Sequence, residues 1–422
     1  MPNVLLTPNL LAKLILMHLG EPSGLKVVRN MNREYEKTFG RKGNKQGDTL
    51  SVLKPQRFTV SHRLQYDPQP IQNIKVPVKV DQISQVAYDW DSVEKTLSLD
   101  DAVARYGRPA AIAMANDVNM RAAQFIAQQS FNWVGTPGTV PTSMATYLAA
   151  EDLMVAQGMG QNETLHCIVN RKMSSAYIDA NKALFNDQRL IGQQQREGRV
   201  QNQVGYEWDI DQTIYTHTVG ALGGTPLIDG TQPTSTEGNN GTTLFLFKGV
   251  GSTVTGIYKL GDKFTVAGVY SVHPQTRVST GYLQQFSVLQ DVNSVSTAAT
   301  VLAAPGITPS GQYQNVNAIP ADGAEVQFWA GATGTPNASA AKVFNCGLVF
   351  HRDAFTFLSV PLENPDPGMG AIVAQHRDPD TGFDLSVIRA FDGVNRKEIN
   401  RVDALWGLGW LYRELATVVV GS

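Results

Sequence analysis

The chain has 422 residues, of which 42% are apolar and 17% charged, enough to bury at least one large core and to build two or three domains. Its formal net charge of -2 supplies no global basic field, so composition does not argue for tight binding to nucleic acid or to an anionic membrane. The two cysteines, Cys167 and Cys346, are too few and too far apart for a disulfide framework or a zinc site, and two free thiols are expected.

In chain order, the stretch LLAKLILMHL is interrupted by Lys13 and has about half the ~20 residues that a membrane span needs. No signal-peptide pattern follows it. It reads as an amphipathic arm that packs on a neighbouring surface. Residues 25–63 carry ten Lys or Arg and three acids, whereas residues 64–101 carry three basic and seven acidic residues. Apolar residues alternate with polar ones at Leu50 and Val52, from Phe58 through Val60 to Tyr66, and from Ile74 to Val80, which predicts strands with one apolar face. Pro55 and the DPQP turn break these runs, and Pro77 suits an edge strand. A long exposed hairpin from about Thr49 to Val80 is expected, with limbs of roughly 50 Å at ~3.3 Å per residue. An edge of that length calls for a neighbouring subunit to cover it.

Ser98 and Asp101 resemble a capping box, and Pro109 suits the first turn of a helix. The run from Pro109 to about Phe131 places Ala111, Ala115, Val118, Ala122 and Phe125 on one stripe and predicts a long helix. A second helix is expected over Met144–Gln157, stopped by Gly158 and Gly160. A strand at Thr164–Asn170, a helix from Ser174 to Leu184 and strand-like residues from Gly205 to Val219 make a mixed α+β core. Residues 225–345 hold 14 Gly, 16 Thr and 9 Ser but only 11 charges, which reads as an all-β module. Long apolar strands then return. An inserted domain explains this order, with Thr225 and Asn345 expected to be neighbours in space.

Motifs for chemistry are missing. No Walker loop, HExxH pair or GxSxG elbow occurs, and the turns at Gly158, Gly368 and Gly407 lack the third glycine of a dinucleotide fingerprint. The run DPDTG (Asp378 to Gly382) has its glycine out of place for a calcium loop and Arg389 where the bidentate Glu belongs. The seven histidines show no metal-ligand spacing. Asp100 and Asp101 sit where a helix start favours negative charge. The basic run Lys37, Arg41, Lys42, Lys45, Lys54, Arg57 and Arg63 has few aromatic neighbours and reads as a solvated or partner-facing strip. No catalytic residue, cofactor or metal ligand is assigned, and the chain is not expected to be an enzyme.

The segment order, together with SLDDAVARYGRPAAIAMANDV at 98–118, REGRVQNQVGYEWDIDQTIYTHTVG at 196–220, GDKFTVAGV at 261–269 and WGLGWLYRELATVVV at 406–420, resembles tailed-bacteriophage major capsid proteins of the podovirus type with an insertion domain. The resemblance implies the α+β fold of that family. Residues 1–40 would be the N-terminal arm, 41–97 the extended loop with peripheral-domain strands, and 98–141 the spine helix of the peripheral domain. Residues 142–224 would be the first part of the axial domain, 225–345 an inserted β-barrel, and 346–422 the return strands. It further implies pentamers and hexamers of this chain in an icosahedral virion shell around double-stranded DNA, assembled in the host cytoplasm. A separate scaffolding protein and a portal are expected partners, and a decoration protein is compatible. Arg41, Lys42, Lys45, Arg57 and Arg63 of one subunit are expected to face Asp89, Asp91, Glu94, Asp100 and Asp101 of the next. Some relatives of the fold lock their shells with Lys to Asn crosslinks; the sequence picks out no such pair, and none is expected in this chain. The competing readings are an encapsulin-type compartment shell, disfavoured by the large β insertion, and a β-rich adhesin or carbohydrate-binding protein, disfavoured by the lack of a signal-peptide pattern and by the long central helix.

Overall fold

A computed structural model describes residues 25–33, 49–60, 62, 64–65, 68–91, 108–160, 163–181, 204–329, 342–363, 371–378 and 381–421. The chain divides into two compact units. The first takes in residues 1–51, 77–122 and 356–409, and the second 52–76, 123–355 and 410–422.

The first unit is organised by a sheet whose strands run in the order Thr49–Leu53, Lys75–Asp91, Lys397–Trp410, Asp384–Asp392, Ala371–Arg377, with Phe355–Val360 also pairing Lys397–Trp410. Val76 and Val78 are buried while Lys75 and Pro77 are exposed, as the period of two requires. The strand they begin is second in the order and not at the edge expected for Pro77. Its ladder with Lys397–Trp410 runs from Asp91 only to Lys79, so Pro77 lies beyond that ladder. Gly407 sits at the register shift of this pair, where an added Cβ would lie 2.2 Å from the Lys79 carbonyl oxygen. The close approach of the strands therefore requires glycine in the WGLGW run.

The long helix is Arg108–Gln129, and its small residues Ala111, Ala115, Val118 and Ala122 are all buried. Within the first unit it is registered on the sheet by polar contacts. Ser84 Oγ donates to Asp117 Oδ2 at 2.8 Å, Trp406 Nε1 donates to Ser84 Oγ at 3.1 Å, and Arg121 Nη1 donates to Gln82 Oε1 at 3.1 Å. Residues 25–33 belong to the same core: Leu25, Val27, Val28 and Met31 are buried, and the Val27 amide donates to Asn119 Oδ1.

The second unit contains two sheets. One has the order Asn132–Val134, Ala416–Val420, Val343–His351, Leu165–Val169, Tyr206–Ile210, with Thr216–Thr218 pairing Val343–His351. The helices Met144–Ala156 and Arg171–Asn181 belong to this unit. Tyr147, Tyr177 and Trp208 form one aromatic cluster with ring centroids 4.9–5.3 Å apart. Cys167 and Cys346 are both free and buried. Burial pushes the Cys346 thiol up to about 12 and raises the Cys167 thiol well above its usual range, which keeps both protonated and unreactive.

The other sheet lies in the Gly- and Thr-rich segment, in the order Val326–Phe328, Lys263–Val272, Ser279–Val288, Ala298–Ala304, Thr243–Val250, Gly224–Ile228. A bridge between Leu227 and Glu325 joins its two outer strands, so the sheet closes on itself as a barrel there. Its core is aromatic: Phe245, Phe247, Phe264 and Phe286 are buried, and Tyr258 stacks on Phe328 at 4.2 Å. The chain enters and leaves side by side. Thr218 pairs with Val343, and the Val219 amide donates to the Lys342 carbonyl at 2.9 Å.

Candidate assembly surface

Between Leu53 and Lys75 the described residues form no strand, contrary to the ladder expected from Phe58 to Tyr66. The two limbs nevertheless keep one register. The Lys54 amide donates to the Ile74 carbonyl at 3.0 Å. Gln72 N donates to Gln56 Oε1 at 3.1 Å while Gln56 Nε2 donates back to the Gln72 carbonyl. Thr59 N donates to Gln69 Oε1 at 2.8 Å, and Gln69 Nε2 donates back to the Thr59 carbonyl. Pro55, Pro68 and Pro70 remove three backbone donors from this stretch, and each glutamine carboxamide supplies both a donor and an acceptor in place of a peptide group. Two further bonds tie the hairpin to the barrel segment: Gln312 Nε2 donates to the Pro70 carbonyl and Tyr313 Oη to the Gln72 carbonyl.

Between Leu53 and Lys75 the described residues of this hairpin expose four large apolar side chains. Phe58 is 67% exposed, Val60 83%, Leu64 fully, and Ile71 73%. Exposed apolar side chains on one loop are what an interaction surface is built from.

At the hairpin base the character reverses. Lys54 continues the inward positions of Leu50 and Val52 and is buried, with Nζ donating to Asn240 Oδ1 and lying 4.2 Å from the centre of the Tyr412 ring and 5.6 Å from that of Trp410. Arg413 stacks on Trp410 at 3.7 Å. Arg57 reaches Glu414 Oε1 at 3.5 Å, and the second oxygen of that buried carboxylate has no partner among the described residues. Burial, opposed by the Glu414 charge and assisted by Arg57 and Arg413, pulls Lys54 down to about 8.

Of the residues expected to form intersubunit charge pairs, Arg57 therefore has a partner in its own chain. Asp89 also has one, Lys397 Nζ at 2.7 Å, whose bond and charge hold its carboxyl below the usual range. Asp91 ends a described strand, but its side chain, like Arg41, Lys42, Lys45, Arg63, Glu94, Asp100 and Asp101, lies outside the described residues. Sequence reasoning missed Glu414, Lys397 and Asn240, because each is far along the chain from the group it meets.

A second buried polar group links the barrel to the rest of its unit. Asp262 is fully buried and accepts from His217 Nε2 at 2.8 Å, Trp329 Nε1 at 3.1 Å and the amides of Gly220 and Lys259. Its neighbour Lys263 donates to the carbonyls of Ala127, at 3.1 Å, and Ser130, while Ser287 Oγ donates to that of Gln128 at 2.8 Å. These are the carbonyls that the end of the long helix leaves without helical partners. The barrel thus caps the helix with N–H and O–H donors at its C-terminal carbonyls.

Among the described residues no group of three or more His, Cys, Asp or Glu is placed to hold a metal, and no helix is long and apolar enough to cross a membrane.

The hairpin is held in register by its own side chains and carries exposed apolar residues. The sequence of the chain matches the family described as P22 coat protein, gene protein 5, over residues 58–418, and the chain belongs to that family. It is a major capsid protein of a tailed phage, and its copies form the phage shell. Among solved structures it is similar to one described as Mycobacterium phage Che8, at 12% identity and a TM-score of 0.45 over 93% of this chain and 90% of that one. It is also similar to the capsid of cyanophage P-SCSP1u, at 10% identity and a TM-score of 0.42 over 93% and 89%. The CUS-3 coat protein I-domain matches 25% of this chain and 94% of its own length at 26% identity, with a TM-score of 0.18. No curated protein sequence matches the chain. The assignment rests on the family match, which favours a coat protein over the compartment-shell and adhesin readings.

Proposed function

We propose that copies of this chain close into an icosahedral shell of pentamers and hexamers around double-stranded DNA, each copy laying its hairpin, Thr49 to Val80, over a neighbour. The single observation that carries the reading is the uncovered apolar tip of Phe58, Val60, Leu64 and Ile71 on a hairpin whose register is held by glutamine clamps. A preformed arm loses little conformational entropy on docking. Repeated contacts between identical copies close a shell. A scaffolding protein sets curvature and a portal occupies one vertex in this reading, assembly takes place in the host cytoplasm, and a decoration protein is compatible with it. The Thr225–Asn345 barrel acts as an insertion domain that stabilises the subunit, and the DNA is contacted without sequence preference. Negative-stain electron microscopy of the protein, expressed with and without its neighbouring genes, tests this. Closed shells, uniform with the neighbouring genes present and aberrant without them, are expected; a chain that stays monomeric at high concentration would sink the reading.

A further inference from the structure

The hairpin is fastened to its own chain at three places: Lys54 meets Asn240, the Pro70 and Gln72 carbonyls meet Gln312 and Tyr313, and Arg57 meets Glu414. A buried line of four carboxamides joins these anchors within one compact unit. On the reading that the hairpin docks on a neighbouring copy, we propose that two of the four, Gln157 and Asn239, are positioning residues for assembly: they fix the direction in which the hairpin leaves the barrel, and so where its tip arrives.

The line runs head to tail. Asn132 Nδ2 donates to the Glu414 carbonyl at 3.1 Å, Gln157 Nε2 to Asn132 Oδ1 at 3.3 Å and Asn239 Nδ2 to Gln157 Oε1 at 3.2 Å. Asn315 Nδ2 then donates to Asn239 Oδ1 at 3.1 Å, and the Thr308 amide ends the line on Asn315 Oδ1 at 3.0 Å. All four side chains are buried. A peptide carbonyl only accepts and a peptide N–H only donates, so the two ends dictate the direction of the whole line. Turning over any one carboxamide would set donor against donor and acceptor against acceptor. A buried network satisfied in this way specifies a single arrangement.

Each member comes from a different element. Asn132 opens the strand Asn132–Val134, Gln157 caps the end of the helix Met144–Ala156, and Asn239 lies in the turn Gly238–Asn240. Asn315 precedes Val316, which bridges to Ser271 in the barrel. The hairpin's anchors are their immediate neighbours. Asn239 precedes the residue that Lys54 reaches, Asn315 follows Gln312 and Tyr313, and the accepting carbonyl belongs to Glu414, whose side chain meets Arg57. Gln157 and Asn239 make the one bond of the line that joins its barrel half to Asn132 and Glu414. Without it Asn132 Oδ1 and Asn239 Nδ2 lose their partners in the line, and the two sets of anchors can shift against each other. The hairpin, held by both sets, shifts with them.

The test uses dissociated full-length subunits carrying Leu64→Cys on the hairpin and Val295→Cys on the barrel, both exposed positions, with spin labels whose separation is read by pulsed electron paramagnetic resonance. The native cysteines are buried and stay unlabelled. Gln157→Met keeps the length of the side chain and removes both bonds. It is expected to widen the distance distribution about twofold with an unchanged circular dichroism spectrum. In the unlabelled chain it should lower the fraction assembled into shells about tenfold, because the arm must be ordered anew on docking. Gln157→Glu decides the matter if the methionine variant does not fold. A buried carboxyl that carries its proton both donates and accepts, so this variant should be as narrow as wild type at about pH 5 and wide at about pH 8. A wild-type distribution in Gln157→Met, or one indifferent to pH in Gln157→Glu, would overturn the proposal, and so would wild-type assembly by a chain whose distribution has widened. Val60→Asp, which charges the tip and leaves the carboxamides alone, tests docking by itself: wild-type assembly there would remove the docking reading while the spin-label result stood.

Discussion

Lys263 illustrates how much a single buried side chain can hold. It is 1% exposed and bonds two carbonyls at the end of the long helix. Burial, opposed by its neighbours Cys346 and Asp262, brings it down to about 7 from 10.5. A neutral amine keeps two N–H donors, so both bonds survive loss of the proton. Replacing it with Met strands two buried acceptors, and Lys263→Met is expected to lower stability by about 1–3 kcal/mol, read from the urea midpoint of dissociated subunits. The pH sign follows from the same group. Between about pH 7 and 10.5 the unfolded chain binds a proton that the folded chain lacks, so this residue's contribution to stability rises with pH across that window and is flat below it. Lys54 adds a slope of the same sign from about pH 8, so the readout is the difference between wild type and variant, which should widen as pH rises; a constant difference would refute the assignment. The phrase GDKFTVAGV stood out in the sequence as part of the family resemblance. The roles of Asp262 and Lys263 were hidden there because their partners, Ala127, Ser130 and His217, lie in other segments.

At the scale of elements, alternation and capping found the long helix, the helix Met144–Ala156 and the strand around Val76 and Val78. They stopped that strand at Val80, whereas it runs to Asp91. The reason is that its inward positions turn polar: Ser84 is buried yet satisfied by Asp117 and Trp406, so the hydrophobic pattern fades where the strand does not. The distal hairpin shows the opposite failure. Phe58, Val60 and Leu64 alternate like a strand but point into solvent, and glutamine side chains do the pairing that the prolines deny to the backbone. This makes a specific expectation. Gln56→Ala combined with Gln69→Ala removes the acceptors of the Gln72 and Thr59 amides, so both amides should exchange hydrogen about tenfold faster, with the barrel unchanged. Hydrogen-exchange mass spectrometry reads this directly, and unchanged protection at both amides would show that the clamps do not hold the limbs. The lysine at the base was also legible in principle. Leu50, Val52 and Lys54 fall on one face of the period, and a lysine on the buried face of a strand signals a group that must find buried partners.

For the whole molecule, the order of segments carried the reading that the family match then established, because each segment's character shows in its composition even where no motif does. Charge segregation is the part that remains a matter of assembly. Residues 25–63 are basic and 64–101 acidic, and inside the chain Arg57 and Asp89 turn to Glu414 and Lys397, not to each other. Arg57 is still 30% exposed and the Asp89 side chain 51%, exposure that the proposed contact with a neighbouring copy requires. An exposed pair contributes only ~0–1 kcal/mol, too little to hold two subunits but enough, repeated around a shell, to bias their register while leaving errors reversible. Screening acts over about 8–10 Å at physiological salt, so assembly yield should fall as salt rises. Arg63→Glu, which leaves the Arg57–Glu414 pair intact, should lower the yield and flatten that dependence, and adding Arg57→Glu should deepen the loss. Restoring the sign relation with Asp100→Lys and Asp101→Lys in the same chain should recover part of it. The measurement is the shell fraction on a sucrose gradient across a salt series, with circular dichroism confirming that each variant folds. A reversed chain that assembles with the wild-type yield and salt slope would mean that the apolar hairpin tip alone directs the contact and that the segregated charges serve solubility.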